Sequence, residues 1–213
     1  MKIQDVYRNF QAAETCLSCP VCHGALEARQ PGSLLCTNGH CFDLSTKNYV
    51  NFVAGNRRNK YGKQLFENRR RLFHDGFYKP VLQELDAQLT AFGGSLRILD
   101  AGCGEGYYAA GLSSQDRLCF ALDLVKDAVA LAASGNRQVK WMVADLARIP
   151  LQDHSLDVIL NILTPANYQE FLRVLRPGGL LFKVVPGTNY LREIRECLSG
   201  RLQSGAYSNE RVL

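Results

Sequence analysis

The sequence predicts an α/β fold, a mostly parallel sheet crossed by helices, with a small metal-binding module ahead of it. Three observations carry that reading. Apolar runs alternate with helical stretches from Leu96 to Val185, a glycine-rich turn over Gly102–Gly106 follows the first of those runs, and five of the eight cysteines fall within residues 16–41. Strand–helix alternation is the pattern of parallel strands joined by right-handed crossovers. A chain of 213 residues has room for one full domain and a small companion. The expected division is a zinc-binding module over 1–55, a basic helical linker over 56–94 and the α/β domain over 95–213.

The N-terminal module is read from its cysteines. Cys19-Pro-Val-Cys22 is followed, after thirteen intervening residues, by Cys36-Thr-Asn-Gly-His40. Two ligands on each of two tight turns can close a tetrahedron around zinc, and thiolate with imidazole suits zinc better than magnesium or calcium. Gly24 and Gly39 stand where such turns call for permissive backbone. Cys16 could replace a member of the first pair and Cys41 could replace His40, so spacing alone leaves the ligand set open. The zinc is expected to be structural, because about 40 residues enclose too small a core.

Composition narrows the class. Apolar residues make up 46% and charged residues 21% of the chain, the usual globular mixture. No apolar run approaches the roughly 18 residues of a membrane span, and the polar start lacks a secretory core. A cytoplasmic protein with no membrane partner is expected. Residues 1–79 carry 12 Lys/Arg against 6 Asp/Glu, whereas residues 80–213 carry 13 against 14. The excess positive charge therefore lies in the first third, which suggests a polyanion partner there. Within residues 57–79, eight Lys/Arg interleave with five Phe/Tyr. Phosphate-tracking, base-stacking surfaces use that mixture. Leu65, Phe66, Leu72 and Phe73 are expected to pack, while Arg57, Arg58, Lys60, Lys63, Arg69 and Arg70 face out.

Five strands are expected in the second domain, over 96–100, 118–124, 140–146, 157–163 and 179–185, with helices from Tyr107 and over 125–134 and 168–175. Acids stand at the ends of the first three, Asp100, Asp123 and Asp145. Ligands of such sheets bind beyond the carboxyl ends of the strands, and an acid after the second strand can accept hydrogen bonds from a ribose diol. The string Asp100-x-Gly102-x-Gly104-Glu105-Gly106 places a carboxylate inside the glycine turn. That carboxylate would repel a pyrophosphate but suits a sulfonium with an amino-acid tail. S-adenosyl-L-methionine is favoured over NAD.

These motifs, with Arg176-Pro-Gly-Gly179 before the last strand, resemble a class I (Rossmann-like) S-adenosylmethionine-dependent methyltransferase over roughly residues 95–186. A narrower resemblance spans most of the chain. Leu17-Ser-Cys-Pro-Val-Cys-His23, Cys36-x-x-x-His40, Tyr49-Val-Asn-Phe52, Arg69-Arg70-x-x-Phe73-x-x-Gly76-x-Tyr78-x-Pro80 and Asp100-x-Gly-Cys-Gly-Glu-Gly-Tyr-Tyr108 occur in that order. They resemble the 23S rRNA guanine-N1 methyltransferases that modify a hairpin-35 guanine. The stretch Asn161-Ile-Leu-Thr-Pro-Ala-Asn-Tyr168 is more similar to their Gram-positive branch, which includes macrolide-resistance enzymes. The resemblance implies zinc on Cys19, Cys22, Cys36 and His40, with Cys16 and Cys41 as bystanders. It implies cofactor binding by Asp100, Gly102, Gly104, Glu105, Gly106, Tyr107, Asp123 and Asp145. Asn161 and Thr164 are expected on the target side, and a 23S rRNA hairpin is the expected partner.

A complete domain of this class ends in an antiparallel strand pair. After Val185 only one helix, over 189–202, and a polar tail are read. The chain is thus expected to be C-terminally short, with the last strand an open edge that invites pairing, for instance in a homodimer. Two competing readings are a small-molecule methyltransferase bearing a zinc ribbon and a non-catalytic remnant that binds zinc and RNA.

Overall fold

The computed structural model describes residues 1–55 and 63–198. Arg57, Arg58 and Lys60, the end of the expected last helix and the polar tail lie outside the described residues, as does the side chain of Lys63.

The chain opens with α1 (Ile3–Gln11), which buries Val6 and Phe10, one turn apart on a single face. Three antiparallel strands follow, β1 (Leu26–Arg29), β2 (Ser33–Cys36) and β3 (Cys41–Ser45). A three-residue strand, β4 (Tyr49–Asn51), turns back on β3. Helices α2 (Lys63–His74) and α3 (Lys79–Phe92) lead into the second half. There β5 (Leu96–Ala101), α4 (Tyr107–Leu112), β6 (Arg117–Asp123), α5 (Lys126–Gly135), β7 (Lys140–Val143), β8 (Leu156–Ile162), α6 (Tyr168–Val174) and β9 (Leu175–Val184) alternate, and α7 (Arg192–Cys197) closes the described chain.

The strands form one sheet in the order β1-β2-β3-β4-β7-β6-β5-β8-β9. From β4 to β9 every neighbour is parallel, which is the expected α/β architecture. The N-terminal module is joined to that sheet by hydrogen bonds as well as by covalent linkage. Tyr49, Val50 and Asn51 pair in parallel with Trp141, Met142 and Val143, and the Phe52 amide donates to Val143 O at 2.9 Å. Strand β4 is nearly buried on both faces, with Val50 at 0% exposure, as a central parallel strand must be.

Helix α1, the N-terminal strands and α6 pack on one face, around Phe10, Leu17, Phe120 and Phe171. Helices α3, α4 and α5 cover the other, around Leu89, Leu112 and Trp141. Strand β7 is shorter than expected, because the Asp145 carboxylate accepts the Ala147 amide at 3.0 Å and turns the chain out of the sheet. Strand β9 ends the sheet, and among the described residues no strand pairs with its outer edge.

Gly106 fixes how the glycine turn meets the sheet. Its φ is +81°, and a Cβ there would run into the Trp141 ring and lie 2.7 Å from the Ala132 Cβ. Gly106→Ala adds left-handed backbone strain to overpacking, so it should cost about 2–4 kcal/mol. Urea unfolding followed by circular dichroism is the measurement. An unchanged midpoint would mean that this close approach is not a constraint.

Candidate active site and metal centre

The four residues Cys19, Cys22, Cys36 and His40 converge, with their ligand atoms all within 4.8 Å of one another. Cys22 Sγ and Cys36 Sγ are 3.7 Å apart, and Cys36 Sγ and His40 Nδ1 are 3.3 Å apart. Tetrahedral zinc with ordinary bond lengths requires about 3.8 Å between sulfurs and about 3.5 Å between sulfur and nitrogen, so the donor set fits. The Gly24 amide holds the Cys22 thiol down, to about 6, which favours the thiolate form a metal needs. Gly39 is left-handed at φ +82°, as the second turn requires, but in the first knuckle His23 rather than Gly24 takes that conformation, at φ +59°. Cys16 is buried in the core and Cys41 is exposed, and neither joins the cluster.

The second site lies beyond the carboxyl ends of β5, β6 and β8. A cavity of about 270 Å³ there is lined by Gly102, Gly104, Asp123, Thr164, Phe66 and Arg69, among others. Asp123 organises it: one carboxylate oxygen accepts the Gly104 amide at 2.9 Å and the other accepts the Val125 amide at 2.8 Å. Asp100 is buried behind the turn and accepts the Ala109 amide of α4 at 3.1 Å. Burial pushes its carboxyl up to about 7, with Asp123 and Glu105 adding like-charge repulsion.

Glu105 tests whether a cationic ligand fits. Its side chain is 2% exposed, and neither carboxylate oxygen has a hydrogen-bond partner. Burial raises its pKa, and the Arg69 guanidinium, 3.4 Å away, is foremost among the groups that oppose that. A buried carboxylate without hydrogen bonds is costly unless a charged group completes it. Arg69 is the charge the structure places beside it, and a cationic ligand at the turn is compatible with the same carboxylate. A separate cavity of about 340 Å³ is lined by Glu105, Gly106, Tyr107 and Phe73, among others. The Tyr107 and Phe73 rings stack with centroids 4.6 Å apart.

Not every expected residue reaches this cavity. Asp145 lines a neighbouring cavity of about 470 Å³ with Pro20, Val21, Phe52 and Arg148, between the zinc knuckle and the end of β7. Thr164 lines the central cavity, its side chain against Gly102, where a Cβ would sit 2.5 Å from Oγ1. Asn161 stands differently from the expectation. It is 0% exposed, and its amide donates to Ala101 O and to Pro165 O, both at 3.1 Å. It therefore shapes the turn after β8.

Helix α2 also departs from the expectation. Phe66 and Phe73 are buried, but Leu65 and Leu72 are 41% and 43% exposed. Arg69 is exposed, as expected, and its guanidinium also pairs with the buried Glu105, 36 positions away, and lies over the Phe73 ring. Arg70 and Arg71 remain exposed.

Comparison with known proteins agrees with this geometry. Residues 99–183 match a family described as "Methyltransferase domain", and residues 17–59 match one described as "RlmA, N-terminal". A Bacillus subtilis protein named "Putative 23S rRNA (guanine-N(1)-)-methyltransferase YxjB" is 39% identical over 90% of this chain and 71% of its own. The 23S rRNA (guanine(748)-N1)-methyltransferase of Streptomyces fradiae is 32% identical over 85% of this chain and 67% of its own. A methyltransferase structure from Methanococcus maripaludis shares the fold, with a TM-score of 0.53 and 20% identity over 70% of this chain and 74% of that one. Fold and site together define a class I S-adenosylmethionine-dependent methyltransferase with an N-terminal zinc ribbon. The chain belongs to the family of 23S rRNA (guanine-N1)-methyltransferases.

Proposed function

We propose that this protein methylates N1 of a guanine in a 23S rRNA hairpin, as the family does, with hairpin 35 as the site. The observation that carries the reading is Glu105, a buried carboxylate at the glycine turn without a hydrogen-bond partner and with only the half-exposed Arg69 guanidinium in salt-bridge range, in a chain that also gathers a Cys₃His cluster. Residues 1–55 and the basic segment over 56–94 present the RNA, and residues 95–213 bind the donor. When bound, the donor supplies a methyl group on a cationic sulfur, which leaves as a neutral thioether while guanine N1 forms the new bond and releases its proton to water.

The chain's own residues divide the work. Asp123 accepts from the ribose hydroxyls while holding the glycine turn, Gly102 and Gly104 admit the amino-acid tail, and Glu105 takes its ammonium. Asp100 braces α4, and Gly106 and Tyr107 carry the turn into that helix. Asp145 bounds the nucleoside end of the site from the adjoining cavity. On the target side, Thr164 lines the cavity, and holding the flipped guanine in line with the methyl group supplies much of the rate enhancement. The exposed Arg70, Arg71 and Phe77 face the RNA, and cytoplasmic ribosomal RNA is the substrate pool. The outer edge of β9 is where a second copy would add strands in a homodimer.

The test is incubation of the full chain with donor and the isolated rRNA hairpin, followed by nucleoside mass spectrometry. One 1-methylguanosine per hairpin is expected, with RNA affinity falling steeply as salt rises. Methylation of small acceptors with none on the hairpin would overturn the reading. Donor binding without transfer to any hairpin would support the non-catalytic alternative.

A further inference from the structure

We propose that Lys183 is a positioning residue for methyl transfer, clamping the turn that faces the target base. The inference rests on reading this cavity as the transfer site. Lys183 lies on β9 directly across from Asn161 on β8. Its Nζ donates to Asn161 Oδ1 in a short hydrogen bond and to Thr164 O at 2.6 Å. Asn161 in turn donates to Ala101 O on β5. One chain of polar contacts thus ties β9, β8 and β5 together immediately beneath the turn over 162–165.

That turn needs a restraint. Leu163 holds a left-handed backbone at φ +54°, with its amide donating to Val184 O at 2.9 Å. A bulky side chain in that region costs on the order of 1–2 kcal/mol and persists only where its surroundings over-determine it. Lysine is also the wrong choice if packing were the sole requirement. Methionine fills similar space without desolvating an ammonium, and burial does press the Lys183 pKa down. The charge therefore serves the two oxygens it grips. Lys183 stands on β9, with β8 between it and the Asp100 strand β5, so it acts on the cavity through Thr164. Through Thr164, which packs on Gly102, the same clamp sets the distance between target and donor loop.

The experiment compares wild type, Lys183→Met and Lys183→Arg by amide hydrogen exchange, donor calorimetry and single-turnover methylation of the hairpin RNA. In Lys183→Met, exchange at residues 162–165 should quicken about tenfold or more. Its single-turnover rate should fall roughly 100-fold while donor affinity stays within about threefold, because misplacement of a turn acts on chemistry more than on donor binding. Lys183→Arg should recover most of both losses. Unchanged exchange and rate in Lys183→Met would overturn the proposal, and so would a parallel loss of donor affinity, which would make the residue merely structural. Exchange reports on the clamp even if wild type transfers no methyl to RNA, an outcome that would refute the proposed function instead.

Discussion

Asp123→Ala should abolish measurable binding of the donor. The carboxylate is the hinge of the cofactor side: its two oxygens hold the Gly104 and Val125 amides at 2.9 and 2.8 Å, each oxygen retains capacity to accept a further bond, and the residue lines the cavity. Hydrogen bonds to a charged group are worth about 1.5–3 kcal/mol each. Losing two to a ribose diol removes about 3–6 kcal/mol, or at least a hundredfold in affinity. Releasing Gly104 adds to this, because the turn loses the acceptor that sets its shape. Asp123→Asn should fall nearly as far. One amide face must then present N–H to an N–H, whether that of Gly104 or that of Val125. Calorimetry with S-adenosylhomocysteine reads both variants, and urea midpoints separate loss of site from loss of fold. Wild-type affinity in Asp123→Ala would remove this residue from the site and take the proposed donor orientation with it.

The place of Asp123 at the end of β6 beside the glycine turn was legible in the sequence because it depends on local order, an acid closing an apolar run. The parallel sheet was legible for the same reason, since buried strands read as continuous apolar runs such as Asp157–Leu163. Spacing pointed to zinc but left Cys16 and Cys41 as alternatives; the family resemblance singled out Cys19, Cys22, Cys36 and His40, and the folded chain brings those four together. What stayed hidden depends on partners distant in sequence. Tyr49-Val-Asn51 is too short for a periodic signal, yet it fuses the zinc module to β7. Arg69 reads as one cation in a basic run, and nothing local reveals that it turns to Glu105. Asn161 looked like a substrate contact because a polar residue at the end of a parallel strand usually faces ligand. Its burial follows from Lys183 and Pro165, neither of which periodicity connects to it. Asp145 was misaligned with its fellow acids for a related reason, since β7 ends early and its turn opens toward the zinc knuckle.

The fusion through β4 makes the metal matter beyond its own ribbon. Cys36→Ser should yield a protein without bound zinc and with a melting temperature lower by about 10 °C or more. Cys36 closes β2 opposite Leu26, is 3% exposed, and receives the His40 amide at 3.3 Å. A serine there cannot complete a soft donor set, and the binding free energy of structural zinc is folding free energy for its module. In an ordinary appended ribbon the loss would stop at the linker. Here β3 pairs with β4 and β4 with β7, so an unravelled ribbon exposes the edge of the catalytic sheet and the buried Tyr49 and Val50. For a chain of about this size 1 kcal/mol corresponds to roughly 2–4 °C, so the expected shift corresponds to a loss of several kcal/mol. The same substitution should weaken donor binding, because Pro20, Val21 and Phe52 wall the cavity that Asp145 shares. Cys41→Ser is the control: its side chain is exposed and outside the cluster, so zinc content and melting temperature should match wild type. Zinc analysis by mass spectrometry, thermal melting and donor calorimetry on the full chain decide the matter. One equivalent of zinc retained by Cys36→Ser would displace Cys36 from the ligand set. Zinc loss with unchanged melting and donor affinity would show that the ribbon and the catalytic sheet are energetically separate despite their shared strands.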